Sequence, residues 1–334
     1  MRAKLFFSGC ALVVSCTLCL FSTVNAKTPV SPVKRVKSAP IKMKKGLKKS
    51  SLVRKYRVKR VSKRQKWPTR RPKKLKGILP KIGPAPYESG ERLVFKIQMF
   101  GSHAGNVILA VGDQTEVNGR MQTPFVGFMR SSEFLNKFYP VENRLVVLAD
   151  SQSLLPVKTD FFVRENGKAI DYHTKFDHKT RLLHSLKLKN GKRQKRNFTP
   201  ATDIHEPLGS VYAVRRMDLK PGDQFQRYIW DGRKERLIDC KVVGFETVTT
   251  DAGVFETLKI EITTRVSGGF IKRGVLNNPI RKGTIWIAND RWRTPVKMIA
   301  PTKLGNAEAV LIRRYVEKGP VDGASGPATL GLSQ

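Results

Sequence analysis

Residue types able to do chemistry are sparse in this sequence, and three groupings stand out. In AIDYHTKFDH, strand alternation turns Ile170, Tyr172, Thr174 and Phe176 to one face and Asp171, His173, Lys175 and Asp177 to the other. Carboxylates and imidazole are metal-ligand types, but the interleaved Lys175 repels a cation, so a solvated face is expected and no metal is assigned. Glu88 and Glu91 form the second grouping. Alternation sends them to opposite faces, which does not support a paired general acid and base. Third, Asp290 and Arg293 in IANDRWRTPV lie between Trp286, Trp292 and Pro295 and read as a charged pair that fixes a hairpin tip. The sequence has no G-x-S-x-G elbow, phosphate loop, G-x-G-x-x-G or H-E-x-x-H, so an enzyme is not expected and no cofactor is implied.

Two groupings suit binding instead. TPFVGFMRSSEFLNKFYPV gathers Phe125, Phe128, Met129, Phe134 and Phe138. Such a set lines a pocket for an acyl chain, or forms the core beneath a helix that plugs an open sheet. Positive charge is the other signal. Of 64 Lys and Arg, 23 lie in residues 27–82, which hold none of the 26 Asp and Glu. Within that arm, Lys44, Lys45, Lys48, Lys49, Arg54, Lys55, Arg57, Lys59, Arg60, Lys63, Arg64, Arg70, Arg71, Lys73 and Lys74 are the expected contacts to an anionic surface. Lys192, Arg193, Lys195 and Arg196 in HSLKLKNGKRQKRNF add a cationic hairpin knob. Lys and Arg segments bind dense polyanions with counterion release and little specificity. The expected partners are anionic lipid, lipopolysaccharide or another envelope polyanion, with a lipid-like ligand for the apolar cluster; nucleic acid is less favoured.

The elements that position these residues follow from punctuation. Arg2 and Lys4, an apolar run from Leu5 to Phe21 and the small residues around Val24-Asn25-Ala26 predict a signal peptide over residues 1–26, with a lipoprotein variant through Cys16 as the alternative. Export to the periplasm or envelope follows. Residues 27–82 lack apolar periodicity and hold Pro29, Pro32, Pro40, Pro68, Pro72 and Pro80, so a disordered arm is expected. From Tyr87 the pattern alternates. Asn118-Gly119, Asn166-Gly167, Asn190-Gly191 and Asp231-Gly232 predict hairpins with type I′ turns, and two more hairpins follow at TVTTDAGVFETLKIEITTRV and GTIWIANDRWRTPVKMIA. RSSEFLNKFYP and HEPLGSVYAVRRMDL read as short helices, the second with Leu208, Val211, Tyr212 and Arg215 at i, i+3, i+4 and i+7. One β domain over 83–318 and a frayed tail over 319–334 complete the chain. Cys240 is then the one cysteine left after export, read as a buried strand residue, with an intermolecular bridge or reactive thiol as alternatives.

YESGERLVFKIQMFGSHAGNV, YPVENRLVVLADSQSLLPVKTDFFVRENGK, SVYAVRRMDLKPGDQFQRYIWDGRK, VVGFETVTTDAGVFETLKIEI and IWIANDRWRTPVKM together resemble the DUF3108 family of exported bacterial proteins, over roughly Tyr87 to Arg314. The resemblance implies a large curled antiparallel sheet of the bacterial envelope and supplies no catalytic residues. The expected fold is mainly β: a curled antiparallel sheet or open half-barrel of consecutive hairpins with one or two short helices, preceded by the disordered basic arm. The expected function is a non-enzymatic envelope protein that binds an amphiphile or envelope partner and is tethered by its arm. The alternative is a ligand-free scaffold or adhesion protein on envelope polysaccharide or a protein partner; an exported nucleic-acid binder or an envelope hydrolase is less favoured.

Overall fold

The computed structural model describes residues 82–200, 202–271, 281–302 and 305–317. The expected signal peptide with Cys16, the basic arm before Ile82, and the C-terminal tail lie outside those residues. Strands dominate what is described. They are β1 (Glu91–Met99), β2 (Ser102–Val111), β3 (Thr115–Val117), β4 (Arg120–Ser131), β5 (Val141–Asp150), β6 (Pro156–Glu165), β7 (Lys168–Asp177), β8 (Leu182–Lys189) and β9 (Lys192–Phe198). After them come β10 (Ile204–His205), β11 (Gln224–Trp230), β12 (Lys234–Thr250), β13 (Gly253–Gly269), β14 (Arg281–Ala288), β15 (Pro295–Thr302) and β16 (Gly305–Val316). Two helices interrupt them, α1 (Glu133–Asn136) and α2 (Pro207–Arg215).

Turn chemistry sets the register. Asn118-Gly119, Asn166-Gly167 and Asn190-Gly191 all have both residues at positive φ, between 46° and 73°, as the type I′ hairpin requires. Asp231-Gly232 differs. Gly232 has φ +84°, but Asp231 is not in the left-handed region, because its carboxylate turns back to accept hydrogen bonds from the Arg233 and Lys234 amides (3.1 and 2.7 Å). The loop is therefore a capped three-residue connection.

All the strands join one sheet, in the order β10-β11-β12-β13-β14-β15-β16-β1-β2-β4-β5-β6-β7-β8-β9, with β3 beside β4. The first strand thus pairs with the last, and the two sheet edges, β9 and β10, are consecutive in the chain. Every pairing is antiparallel except β10 with β11. The sheet curls. Its inner face carries a large apolar core that includes Phe95, Phe125, Leu145, Ile229, Ile260 and Ile287 around α2. Where the two ends of the sheet approach, Phe176 and Leu183 of β7 and β8 meet Ile204, Tyr228, Trp230 and Leu237 of β10 to β12 in a second cluster. The Trp230 indole N–H donates to Thr174 Oγ1 at 3.3 Å across that seam. Side-chain packing, not a backbone ladder, brings the curl together here.

Helix α2 is buried at all nine positions. The i, i+3, i+4, i+7 stripe is real, but its opposite face is covered as well, so the helix fills the curl instead of capping it. Pro207 occupies its first turn, where the missing amide costs nothing. Helix α1 is a single turn capped by Ser132, whose side chain accepts from the Leu135 amide. Among the described residues no helix is long and apolar enough to cross a membrane.

Candidate functional site

The centre of the molecule is the seat of α2. At its start, the Glu206 carboxylate accepts from the Leu208 amide at 2.7 Å and from the Gly209 amide. These are donors that a helix N-terminus leaves orphaned. Burial pushes the Glu206 carboxyl up to about 8, against the pull of those two amides. At the other end, Arg215 donates to both oxygens of Glu91 (2.5 and 3.0 Å) and to the Trp292 carbonyl (3.0 Å). Both Glu91 and Arg215 side chains are fully buried. Arg314 Nε adds a further bond to Glu91 at 3.0 Å, and its guanidinium lies 3.9 Å from the Trp292 ring centre. The Arg215 guanidinium also sits 5.2 Å from the ring centres of Tyr87 and Tyr212. Desolvation raises both phenols, so they stay neutral beside these charges. A bidentate pair with aromatic faces around it locks α2 to β1 and β16.

The five apolar residues expected to line one pocket are dispersed. Phe125 stacks on Tyr212 of α2 at 4.3 Å and meets Tyr87 edge-on at 5.8 Å, and Met129 joins the same core. Phe128, an odd number of residues from both, is buried on the other face of β4. Phe134 and Phe138 are exposed and pack against one another at 5.4 Å. Alternation and the one-turn length of α1 place these five in separate environments, so they do not line one pocket. The space left between α2 and β11 to β14 is a cavity of about 20 Å³ lined by residues that include Ser210, Val214, Phe225, Arg227 and Cys240. That is room for a water, not for a drug-sized ligand needing about 300 Å³ or more.

Asp290 and Arg293 do share a turn, but not as a side-chain pair. Asp290 accepts from the amides of Trp292 (2.9 Å) and Arg293 (2.8 Å), and Arg293, at φ +47°, donates instead to the Met217 carbonyl at 3.1 Å just beyond α2. Asp171, His173 and Asp177 separate likewise. His173 pairs with Asp160 at 2.6 Å, Asp171 with Arg164 at 2.5 Å, and Asp177 caps the Lys179 and Thr180 amides. Glu88 lies before β1, so strand alternation does not send it away from Glu91 as expected: both carboxylates meet the Arg314 guanidinium, at 3.9 and 3.0 Å, and Glu91 has the structural role just described. Cys240 is buried in β12, its thiol pushed up to about 12 by burial, which disfavours reactivity.

The cationic residues fare differently. Lys192, Arg193, Lys195 and Arg196 are all exposed along β9, one of the sheet's two edge strands, so the knob is a cationic edge and not only a hairpin tip. The arm residues Lys44 to Lys74 lie outside the described residues. Arg227 and Lys234 are among the buried cations that the sequence pattern did not announce. Arg227 donates to His205 Nε2 at 2.5 Å, and burial takes His205 down to about 3, so the imidazole stays neutral. Lys234 is almost fully buried with no hydrogen-bond partner on its ammonium. The one available signal was Arg215 standing on an apolar helical stripe, which demands a buried counter-charge.

A single antiparallel sheet curled around its own helix defines the class: a plugged half-barrel of hairpins. No curated protein matches the sequence. The model of DUF3108, a family of unknown function, matches residues 94–312, and the chain belongs to that family. Solved structures that it resembles include a candidate exported protein with a YmcC-like fold from Bacteroides fragilis, at 13% identity and TM-score 0.33, covering 71% of this chain and 100% of that one. A β-barrel-like protein of the DUF1849 family from Brucella abortus shares 10% identity at TM-score 0.46, over 69% and 98% of the two chains. A candidate lipoprotein from Parabacteroides distasonis gives 11% identity and TM-score 0.29 over 71% and 99%.

Proposed function

We propose that this protein is a non-enzymatic module of the bacterial envelope that docks electrostatically on an anionic surface and carries no amphiphile inside. The observation that supports this reading is the occupancy of the curl: nine buried residues of α2 stand where a carried ligand would sit. The charge is placed outside. The β9 edge presents Lys192, Arg193, Lys195 and Arg196 to solvent, and the sequence adds an arm of 23 Lys and Arg over residues 27–82 with no acidic residue. Lys and Arg on an open strand also discourage edge-to-edge pairing with another sheet, so β9 serves solubility as well as attraction. Export by residues 1–26 delivers these charges to phospholipid headgroups and lipopolysaccharide phosphates.

Co-sedimentation of the mature chain with vesicles containing phosphatidylglycerol tests the proposal. Binding is expected at low salt and is expected to fall steeply by about 0.5 M NaCl, where screening confines charges to a few ångströms. Removing residues 27–82 is expected to abolish most of it. Vesicle binding that survives both high salt and loss of the arm rules out an electrostatic tether.

A further inference from the structure

The turn between β11 and β12 gathers positive charge around an ammonium that the protein leaves without a partner. Lys234 is 1% exposed, and its Nζ makes no hydrogen bond. It continues the inward row of Arg236, Ile238 and Cys240 on β12. The nearby carboxylate, Asp231, is largely engaged elsewhere: Oδ1 takes the Arg233 and Lys234 amides, and Oδ2 takes Arg236 Nε at 2.9 Å, so it attracts the Lys234 ammonium without hydrogen-bonding it. Opposite Lys234 in the ladder stands Gly269, at φ +92°, where a side chain would collide with Lys234 Cα.

Further cations lead outward from this point. The Arg233 carbonyl accepts the Phe270 amide at 2.7 Å, and the Arg196 guanidinium lies 5.2 Å from the Phe270 ring centre. Gly232 packs against Tyr172, and Lys187 sits 5.4 Å from the Tyr172 ring centre. Exposure is graded along the set, from Arg196 on the open edge, through half-buried Lys187 and Arg233, to buried Lys234. Burial, then the charges of Arg233, Lys189 and Arg196, lower the Lys187 ammonium. Burial takes Lys234 down to about 8 against the pull of the Asp231 carboxylate, with Arg236, Arg233 and Arg281 pushing the same way as burial. A protonated ammonium kept from water without a hydrogen bond is costly, and cations outnumber carboxylates around it, with Arg233, Arg236 and Arg281 against Asp231.

We propose that this turn frames a binding site for one phosphate-type anion, with Lys234 as its innermost ligand and Arg233, Lys187 and Arg196 at its mouth. A dianion suits a site with this excess of charge, and guanidinium forks and point-charge ammonium groups are the usual phosphate ligands. The site belongs to the folded domain and owes nothing to the arm, so it stands or falls independently of the surface tether.

The test uses the full mature chain at about 0.3 M NaCl, which suppresses diffuse binding by the arm. Inorganic phosphate is titrated while the melting temperature is followed, in the wild type, Lys234→Met and Arg233→Gln. The wild type is expected to show a saturable upward shift, Lys234→Met none, and Arg233→Gln an apparent affinity about tenfold weaker. Should Lys234→Met fail to fold, Arg233→Gln, at a half-buried turn position, decides alone. Equal phosphate responses in wild type and variants overturn the site. So does a wild type that ignores phosphate while Lys234→Met melts higher, which means Lys234 holds water only. A short-chain phosphatidic acid titrated in parallel separates the sources. A stronger effect than phosphate, lost in Lys234→Met, assigns a lipid headgroup, and an equal effect lost in the same variant assigns free phosphate.

Discussion

Glu91 holds one arginine, Arg215, in a dry interior and a second, Arg314, at its partly exposed rim, and the energetics of that arrangement are asymmetric. Removing Glu91 strands buried Arg215 without water or counter-charge, at about 3–5 kcal/mol, and removing Arg215 leaves Glu91 with Arg314 alone, whereas replacing Glu91 and Arg215 together with apolar groups of similar volume is often close to neutral. Glu91→Met and Arg215→Met are each expected to lose stability in urea denaturation, the first on that scale and the second by less, because Arg314 remains beside Glu91. The Glu91→Met/Arg215→Met double variant is expected to lose less than the sum of the single changes, because the stranded charge is gone. Strict additivity would mean that the pair does not act as a unit. Glu206 makes a prediction in pH. Its folded value of about 8 lies above the ordinary 4.5, so the native state holds a proton that the unfolded chain has released between those values. The associated stability is fully present below about 4.5 and is lost as pH rises through about 8. The wild-type melting temperature is therefore expected to fall across that window, and Glu206→Gln to flatten the fall. An unchanged slope in the variant assigns the pH dependence elsewhere.

At the level of elements, α2 and β4 form the joint that fills the curl. Phe125→Ala empties a ring stacked on Tyr212 and is expected to cost about 3–5 kcal/mol. The paired change Phe134→Ser/Phe138→Ser removes two exposed rings and is expected to stay within about 0.5 kcal/mol. Equal losses from the two variants would mean that the α1 aromatics belong to the core after all. The hairpins were legible because Asn-Gly needs positive φ at both positions, a local demand that no distant contact alters; all three Asn-Gly turns formed. Asp231-Gly232 also joined a hairpin, β11 with β12, but not through a type I′ turn, because an Asp side chain can cap its own turn, a competing local bond that the dipeptide does not announce. The aromatic cluster was half legible. Its composition signals burial, but strand alternation around Phe125 and Phe128, and a helix of one turn, decide who shares a space.

Across the whole molecule, the strand order was the feature least readable from the chain. Hairpins fix neighbours, but the pairing of β1 with β16, which places β9 and β10 at the two edges, depends on contacts more than 200 residues apart. The Glu91–Arg215–Arg314 clamp was hidden for the same reason, since its members come together only when that long-range ladder closes. The charge of β9 was legible, because an exposed run of Lys and Arg needs no tertiary partner, whereas buried Arg227 and Lys234 were not. On the proposed reading, the interior belongs to α2 and not to a carried amphiphile. Native mass spectrometry of the mature chain, purified from a bacterial periplasm without detergent, tests it most directly. The expected spectrum shows the bare chain, with at most small phosphate adducts that concern Lys234 alone; a stoichiometric adduct with the mass of a lipid or fatty acid would contradict it.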